Sequence, residues 1–324
     1  MGAFDGVEAG RRSLGPVGVF LPNSPGAGAQ PIGAQRDAVR RLERAGYQAV
    51  WNNEGVGGND GLVQLAILLA ATGRMAFGSG ITNMWARSPQ VTHAAAALLA
   101  EAYPGRFVLG LGVGYPFQAS QVGREFGRPL ATTRDYLRQM TSELPFGSVP
   151  AVSYPRILAA NGPKMLALAG EITDGALPIL VPAAYTASAR AILGPDKILV
   201  VGVAAAMDED LDQARAAARR YVSQVLGRPG SPYAANLTRL GYPAEDVSAA
   251  SDEVVNAVIA WGDPDRVAAE VQKHLDAGAD HVRLGTTDPS FEASLSVLER
   301  LAPALASIGS LTEHCGAQLR IRVG

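Results

Sequence analysis

The chain has 324 residues, a formal net charge of −2 and a hydrophobic fraction of 48%. That apolar share fills a large core, and the near-neutral charge leaves no electrostatic footprint for nucleic acid or an anionic membrane. The single cysteine, Cys315, excludes an internal disulfide and a thiolate zinc cluster. No apolar run approaches the ~18 residues of a membrane helix, and the N-terminus lacks the apolar core of a signal peptide, so a cytoplasmic location is expected.

In chain order, residues 1–15 form an expected flexible segment, and Pro16 to Leu21 reads as a first strand. A helix over Gln35 to Ala45 is stopped by Gly46. Tyr47 to Trp51 is the second strand and delivers Asn52, Asn53 and Glu54 at its end. Asp60 caps an apolar helix, Leu62 to Ala71. Met75 to Ile81 is the third strand, and Ser88 with Pro89 starts a helix that runs to Ala102. Phe107 to Leu111 is a continuous apolar run, the mark of a strand buried on both faces. Gly110, Gly112 and Gly114 strip side chains from its end. The spacing is G-x-G-x-G and no helix opens on the last glycine, so this is not a dinucleotide fingerprint.

The same grammar continues after a helix near Pro129. Strands are expected at Arg156 to Ala160, Gly175 to Leu180, Ile198 to Ala204 and His281 to Gly285. Helices are expected from Asn161-Gly162-Pro163 to Glu171, Pro182 to Gly194, Asp208 to Leu226, Asp263 to Gly278, and Phe291 to Ile308. Gly227 to Ser251 reads as turns and a short helix, and 309–324 as a poorly anchored tail. Alternating βα units with short αβ turns mean a parallel sheet, and eight strands suggest a closed (β/α)8 TIM barrel over 16–308. A doubly wound sheet is the competing architecture.

A barrel places chemistry at the C-terminal strand ends. Glu54 there is a candidate to orient a ligand or move a proton, or else a loop charge facing water. Asn161-Gly162-Pro163 offers free N–H groups at a helix start, as an anion site or an ordinary cap. Tyr115 is a candidate proton donor or stacking surface. His93 faces a strand end or serves structure, and Trp51 and Trp85 wall a flat ring or belong to the core. No H-x-H or H-x-x-x-H pair exists, so no metal site is expected, and no lysine ends a strand. A glycine-lined mouth poor in side chains suits a barrel that binds a flat cofactor.

The segments GYQAVWNNEG (46–55), GSGITNMWARSPQ (78–90), GRFVLGLGVGYP (105–116), VGREFGRPLATTRDYL (122–137), LAANGPKMLALAGEITDGALP (158–178) and WGDPDRVAAEVQKHLDAGADHV (261–282) carry a resemblance. Together they resemble the luciferase-like monooxygenase superfamily, a TIM-barrel family of flavin- and deazaflavin-dependent oxidoreductases. Within it the chain is most similar to the actinobacterial class that uses coenzyme F420. FMN with an oxygenating reaction is the alternative, and a non-catalytic cofactor-binding barrel a further one. The resemblance implies a ring at the C-terminal mouth and a cis peptide at Gly80-Ile81, with Asn83 reaching the ring edge or the ligand chain. It implies Glu54 as a ring-proximal carboxylate, Gly112, Val113 and Gly114 along the ring's other side, and Ala160, Asn161, Gly162 and Pro163 around a phosphate. Gly55 and Tyr115 stand where the family's glucose-6-phosphate dehydrogenases carry a histidine and a glutamate, which argues against that reaction. Thr141 to Tyr154 is short beside many relatives, which opens the pocket or removes a lid. Glu54 and Tyr115 are the expected catalytic residues, a small organic molecule the expected substrate. Arg87, Arg124 and Arg283 are candidates for a charged cofactor tail. The apolar helices Leu62 to Ala71 and Ala94 to Ala100 require cover, so a homodimer through them is expected.

Overall fold

A computed structural model describes residues 3–21, 30–142 and 152–320, with side chains over 6–21, 30–142 and 152–308. The expected short loop at Thr141 to Tyr154 falls largely outside the described residues, and only the backbone is described around Cys315. The strands are β1 (Val17–Phe20), β2 (Ala49–Asn52), β3 (Ala76–Ser79), β4 (Thr82–Asn83), β5 (Phe107–Gly112), β6 (Arg156–Ala159), β7 (Gly175–Leu177), β8 (Ile198–Met207), β9 (Ile259–Gly262) and β10 (His281–Thr286). Every pairing is parallel. β10 closes the ring by pairing with β1 at Val17–Val282 and with β8 at His281–Val200. The result is an eight-membered (β/α)8 barrel in which β3 and β4 are two halves of one strand.

The break between β3 and β4 is the cis peptide Gly80-Ile81, at the position the resemblance implies. β5 accepts both halves because it carries glycines where they cross. A Cβ on Gly110 would lie 1.9 Å from the Ser79 carbonyl oxygen, and one on Gly112 would lie 2.8 Å from Ile81 Cδ1. No other residue fits at such approaches.

The barrel interior is a layer of Trp51, Val108, Ile157, Leu177, Ile198 and Val200. Trp51 crosses the lumen over Gly78, where a Cβ would sit 2.2 Å from its ring. Its indole N–H donates to His281 Nε2 at 2.9 Å. Trp51 is therefore core and does not wall a ring.

Several elements differ from the sequence-based expectations. Residues 1–15, expected to be flexible, carry a helix at Ala3–Leu14. Val7 and Leu14 join the interior layer, and Arg11 donates to the carbonyls of Pro195 and Lys197, so this helix stoppers the N-terminal end of the barrel. The helix after β8 is capped by Asp210, not Asp208. The region expected to be mostly turns holds two helices, Pro232–Arg239 and Ala244–Ala249, followed by a third, Asp252–Val258. They pack with Leu211–Leu226 as a separate apolar cluster beside the barrel. β9 extends this layer by pairing with the far end of β8 at Ala204–Ile259. The last helix continues to Arg320, past Gly309. Asp60 and Ser88 cap their helices as expected, each accepting N–H bonds from the first turn.

Candidate active site at the barrel mouth

The β3–β4 turn is held from below and from the side. Gly80 N–H donates to the Asn52 carbonyl at 2.6 Å, and Glu54 N–H donates to the Ile81 carbonyl at 2.9 Å. The end of β2 thus grips the turn by backbone alone. Asn52 is buried and serves this scaffold, its amide donating to Gly61 O and Gln64 Oε1. Asn53 is exposed.

Glu54 is almost fully buried, with its side chain 2% exposed. Oε1 accepts from Gly61 N–H at 2.8 Å and Oε2 from Asn83 N–H at 3.0 Å. Arg87 donates to both oxygens, Nη1 to Oε2 at 3.1 Å and Nη2 to Oε1. Arg87 also meets Asp60 at 2.7 Å. Both carboxylate oxygens are committed to protein donors, and the fork-on-fork pairing fixes the geometry. Arg87 is thereby spent on protein carboxylates rather than on a cofactor tail. Burial works against the Arg87 charge, but the hydrogen bonds it donates to Glu54 and Asp60 outweigh it and raise its pKa.

Asn83 is the residue this network presents. Its Oδ1 accepts from Trp85 N–H at 2.9 Å, while its Nδ2 is buried and without an acceptor. Nδ2 points at the end of β5, where a Cβ on Gly114 would lie 2.7 Å away. Gly114 has φ +60°, a conformation glycine adopts without strain. Gly112 is taken up in packing Ile81, and its carbonyl accepts from Met84 N–H. Val113 is half-buried, and its carbonyl accepts the Trp85 indole N–H at 2.6 Å, which assigns Trp85 to the wall behind the strand.

Tyr115 begins the helix Pro116–Gln121 and stacks on Phe117. Its hydroxyl donates to Tyr233 OH at 3.2 Å. Burial raises the pKa of Tyr233, so it keeps its proton at neutral pH. Tyr233 escaped the sequence reading because it arrives from a segment about a hundred residues downstream with no motif of its own. His93 bonds Tyr154 OH at 2.8 Å, and Tyr154 packs on Phe107 at the start of β5. It belongs to structure, not to the mouth. Arg124 is exposed.

At the end of β6, Ala160 N–H donates to the Leu177 carbonyl, so it is used in the sheet and not free for a phosphate. Asn161 braces Ile179 in both directions, Nδ2 donating to its carbonyl at 2.8 Å and Oδ1 accepting its N–H at 3.0 Å. Gly162 caps the helix Pro163–Ile172, and its carbonyl accepts from Met165 and Leu166. A hollow of about 320 Å³ opens there, lined by Leu130, Gly162, Pro163, Lys164, Met165 and Arg239. Two basic side chains beside a helix N-terminus make it electropositive.

Residues 16–281 match the family model described as luciferase-like monooxygenase, and the chain belongs to that family. It is 26% identical over 301 residues to the 5,10-methylenetetrahydromethanopterin reductase of Methanolobus tindarius, covering 80% of this chain and 92% of that one. The enzyme of the same name from Archaeoglobus fulgidus is 30% identical over 267 residues, covering 73% and 78%. The fold superposes on an F420-dependent secondary alcohol dehydrogenase in complex with an F420–acetone adduct. That match has a TM-score of 0.68 and 16% identity, over 90% of this chain and 99% of the other.

Proposed function

We propose that the protein is a coenzyme F420-dependent oxidoreductase acting on a small organic substrate. The observation that carries this reading is the orphaned Nδ2 of Asn83, a buried donor at the glycine-bordered mouth of a barrel of this family. A buried donor without a partner is costly, and a flat heterocycle rich in carbonyl and ring-nitrogen acceptors satisfies it. The residues present fit the deazaflavin. Asn83 would donate to the ring edge, and Ile81 and Val113 would face the ring. Gly162 and Pro163, with Lys164 and Arg239, would hold the anionic tail in the basic hollow. Relatives named as F420-dependent, 33% and 28% identical to this chain, support the choice over FMN.

When bound, the deazaflavin supplies a hydride acceptor or donor. The protein's own work is to position and to exclude water. Glu54 and Arg87 hold the Asn83 backbone in place. The Tyr115 hydroxyl, bonded to Tyr233, is the proton-bearing group at the mouth and our choice for proton transfer to or from substrate oxygen.

Asn83→Asp keeps the acceptor for Trp85 and removes the orphan donor. Its affinity for F420, read by fluorescence titration, falls at least about tenfold, or roughly 1.4 kcal/mol. Unchanged affinity would remove Asn83 from the cofactor site.

The chain also forms a homodimer in this reading. Val63 is 58%, Val91 56% and Leu98 67% exposed on the neighbouring helices Gly61–Leu69 and Pro89–Ala102. Large apolar side chains this exposed on neighbouring helices suit an interface. Sedimentation equilibrium at micromolar concentration gives a dimer for the wild type and a monomer for Leu98→Glu. A wild-type monomer under those conditions contradicts it.

A further inference from the structure

Arg283 lies on β10 in the upper layer of the barrel lumen, and nothing so far explains it. Two glycines make room for its guanidinium: a Cβ on Gly80 would lie 3.1 Å from Nη1, and one on Gly202 would lie 2.9 Å from Nη2. The Phe20 ring lies against it, 4.7 Å from centroid to Cζ. Nη1 donates to the Gly80 carbonyl at 3.1 Å. Nε is buried with no acceptor. No carboxylate among the described residues pairs with it. The groups acting on its charge are the phenols of Tyr221 and Tyr233. Burial raises the pKa of both, so both are neutral at pH 7. Burial lowers the Arg283 pKa to about 10, which still leaves it charged at neutral pH.

Even partial burial of a cation with no counter-ion costs free energy, and a hydrophobic side chain of similar volume would fold at lower cost. Nη1 is taken by Gly80, and Nε is enclosed by protein atoms without an acceptor, so Nη2 is the nitrogen left to meet a ligand. An anion that reaches it makes a charge-assisted hydrogen bond. A single positive charge with only neutral phenols around it balances a monoanion and not a phosphate dianion.

We propose that Arg283 binds the carboxylate of the substrate, which makes the substrate class an organic acid. The rest of the substrate then lies between the Gly80-Ile81 turn and the Tyr115–Tyr233 pair. This deepens the oxidoreductase reading and rests on it for the role of the bound acid as substrate; the anion site itself is testable without the cofactor.

The test uses the full chain without cofactor, with benzoate as probe and benzyl alcohol as its uncharged counterpart. Thermal melts and the Arg283 Nε–H signal in a 15N-arginine spectrum are the readouts. Benzoate raises the wild-type Tm and shifts that signal, and benzyl alcohol does neither. Arg283→Met melts at or above the wild-type temperature yet loses the benzoate effect. Arg283→Lys keeps the charge but not the position of Nη2, and binds benzoate about tenfold more weakly. F420 affinity stays within about twofold in both variants. No benzoate effect on the wild type overturns the proposal. So does an Arg283→Met protein that is destabilised and still binds benzoate, which marks a structural arginine. A tenfold loss of F420 affinity in either variant reassigns Arg283 to the cofactor. Failure of the wild type to bind F420 at all, with benzoate binding intact, defeats the cofactor reading and leaves the anion site standing.

Discussion

Glu54→Gln unfolds at a markedly lower denaturant concentration than the wild type, with a loss of about 3 kcal/mol. Breaking a buried ion pair leaves a buried charge uncompensated, at a cost of about 3–5 kcal/mol. Arg87 is 10% exposed and keeps Asp60 as a partner, which places the loss at the lower end. The amide cannot accept on both sides of its head, so one of Gly61, Asn83 or Arg87 is left without its acceptor. F420 affinity falls with stability, because Asn83 N–H is anchored on the same carboxylate. Arg87→Met costs a similar amount, and the double variant costs less than the sum, since the two side chains act as one unit. A Glu54→Gln protein of wild-type stability that binds F420 normally and transfers no hydride would show the opposite, a proton-moving carboxylate.

Between pH 7.5 and 4.5 the protein loses about 5 kcal/mol of stability, most of it through two histidines. Burial lowers His281 to a pKa of about 4, with the charge of nearby Arg283 adding to the shift. Its neutral form is fully satisfied: Nδ1 donates to the Gly15 carbonyl at 2.7 Å, and Nε2 accepts from Trp51 at 2.9 Å. A second proton would set Nε2–H against the indole N–H. Burial, with a contribution from Lys273, lowers His274 likewise to about 4. Its Nδ1 is 2.8 Å from Thr186 Oγ1. The unfolded chain protonates each ring near the ordinary histidine value of 6.5. Below that pH the unfolded state therefore binds protons the native state refuses, and stability falls until the native pKa is reached. Carboxylates held low in the fold, such as Asp60, contribute only nearer their unfolded pKa of about 4. Urea titrations between pH 6.5 and 5 isolate the histidines, and His274→Gln halves the slope there. A flat profile over that window contradicts the assignment.

The legible part of this molecule is what one element writes in its own residues. The βα alternation, the caps at Asp60 and Ser88, and the apolar run of β5 follow from local pattern. The cis bond at Gly80-Ile81 came through resemblance and is present. What stayed hidden depends on contacts distant in sequence. Glu54 was visible as a carboxylate at a strand end, but its saturation by Gly61, Asn83 and Arg87 needs three further segments in place. Gly112 looked like a ligand-facing glycine, and its missing side chain is used by Ile81. Ala160 falls within the strand expected from sequence, and its N–H donates to the Leu177 carbonyl of the neighbouring strand, a partner that only the paired sheet reveals. Arg283 was one of three candidate arginines; only the closed barrel shows that Arg87 is paired, Arg124 exposed and Arg283 half-buried without an anion. The N-terminal helix was missed because its apolar residues are few, and their burial depends on the open end of the barrel.

The most direct test of the central claim is an anaerobic binding titration of the purified protein with F420 and, separately, with FMN. Micromolar or tighter binding of F420 with none of FMN is the expected result. Preference for FMN, or binding of neither, would contradict a deazaflavin-dependent oxidoreductase.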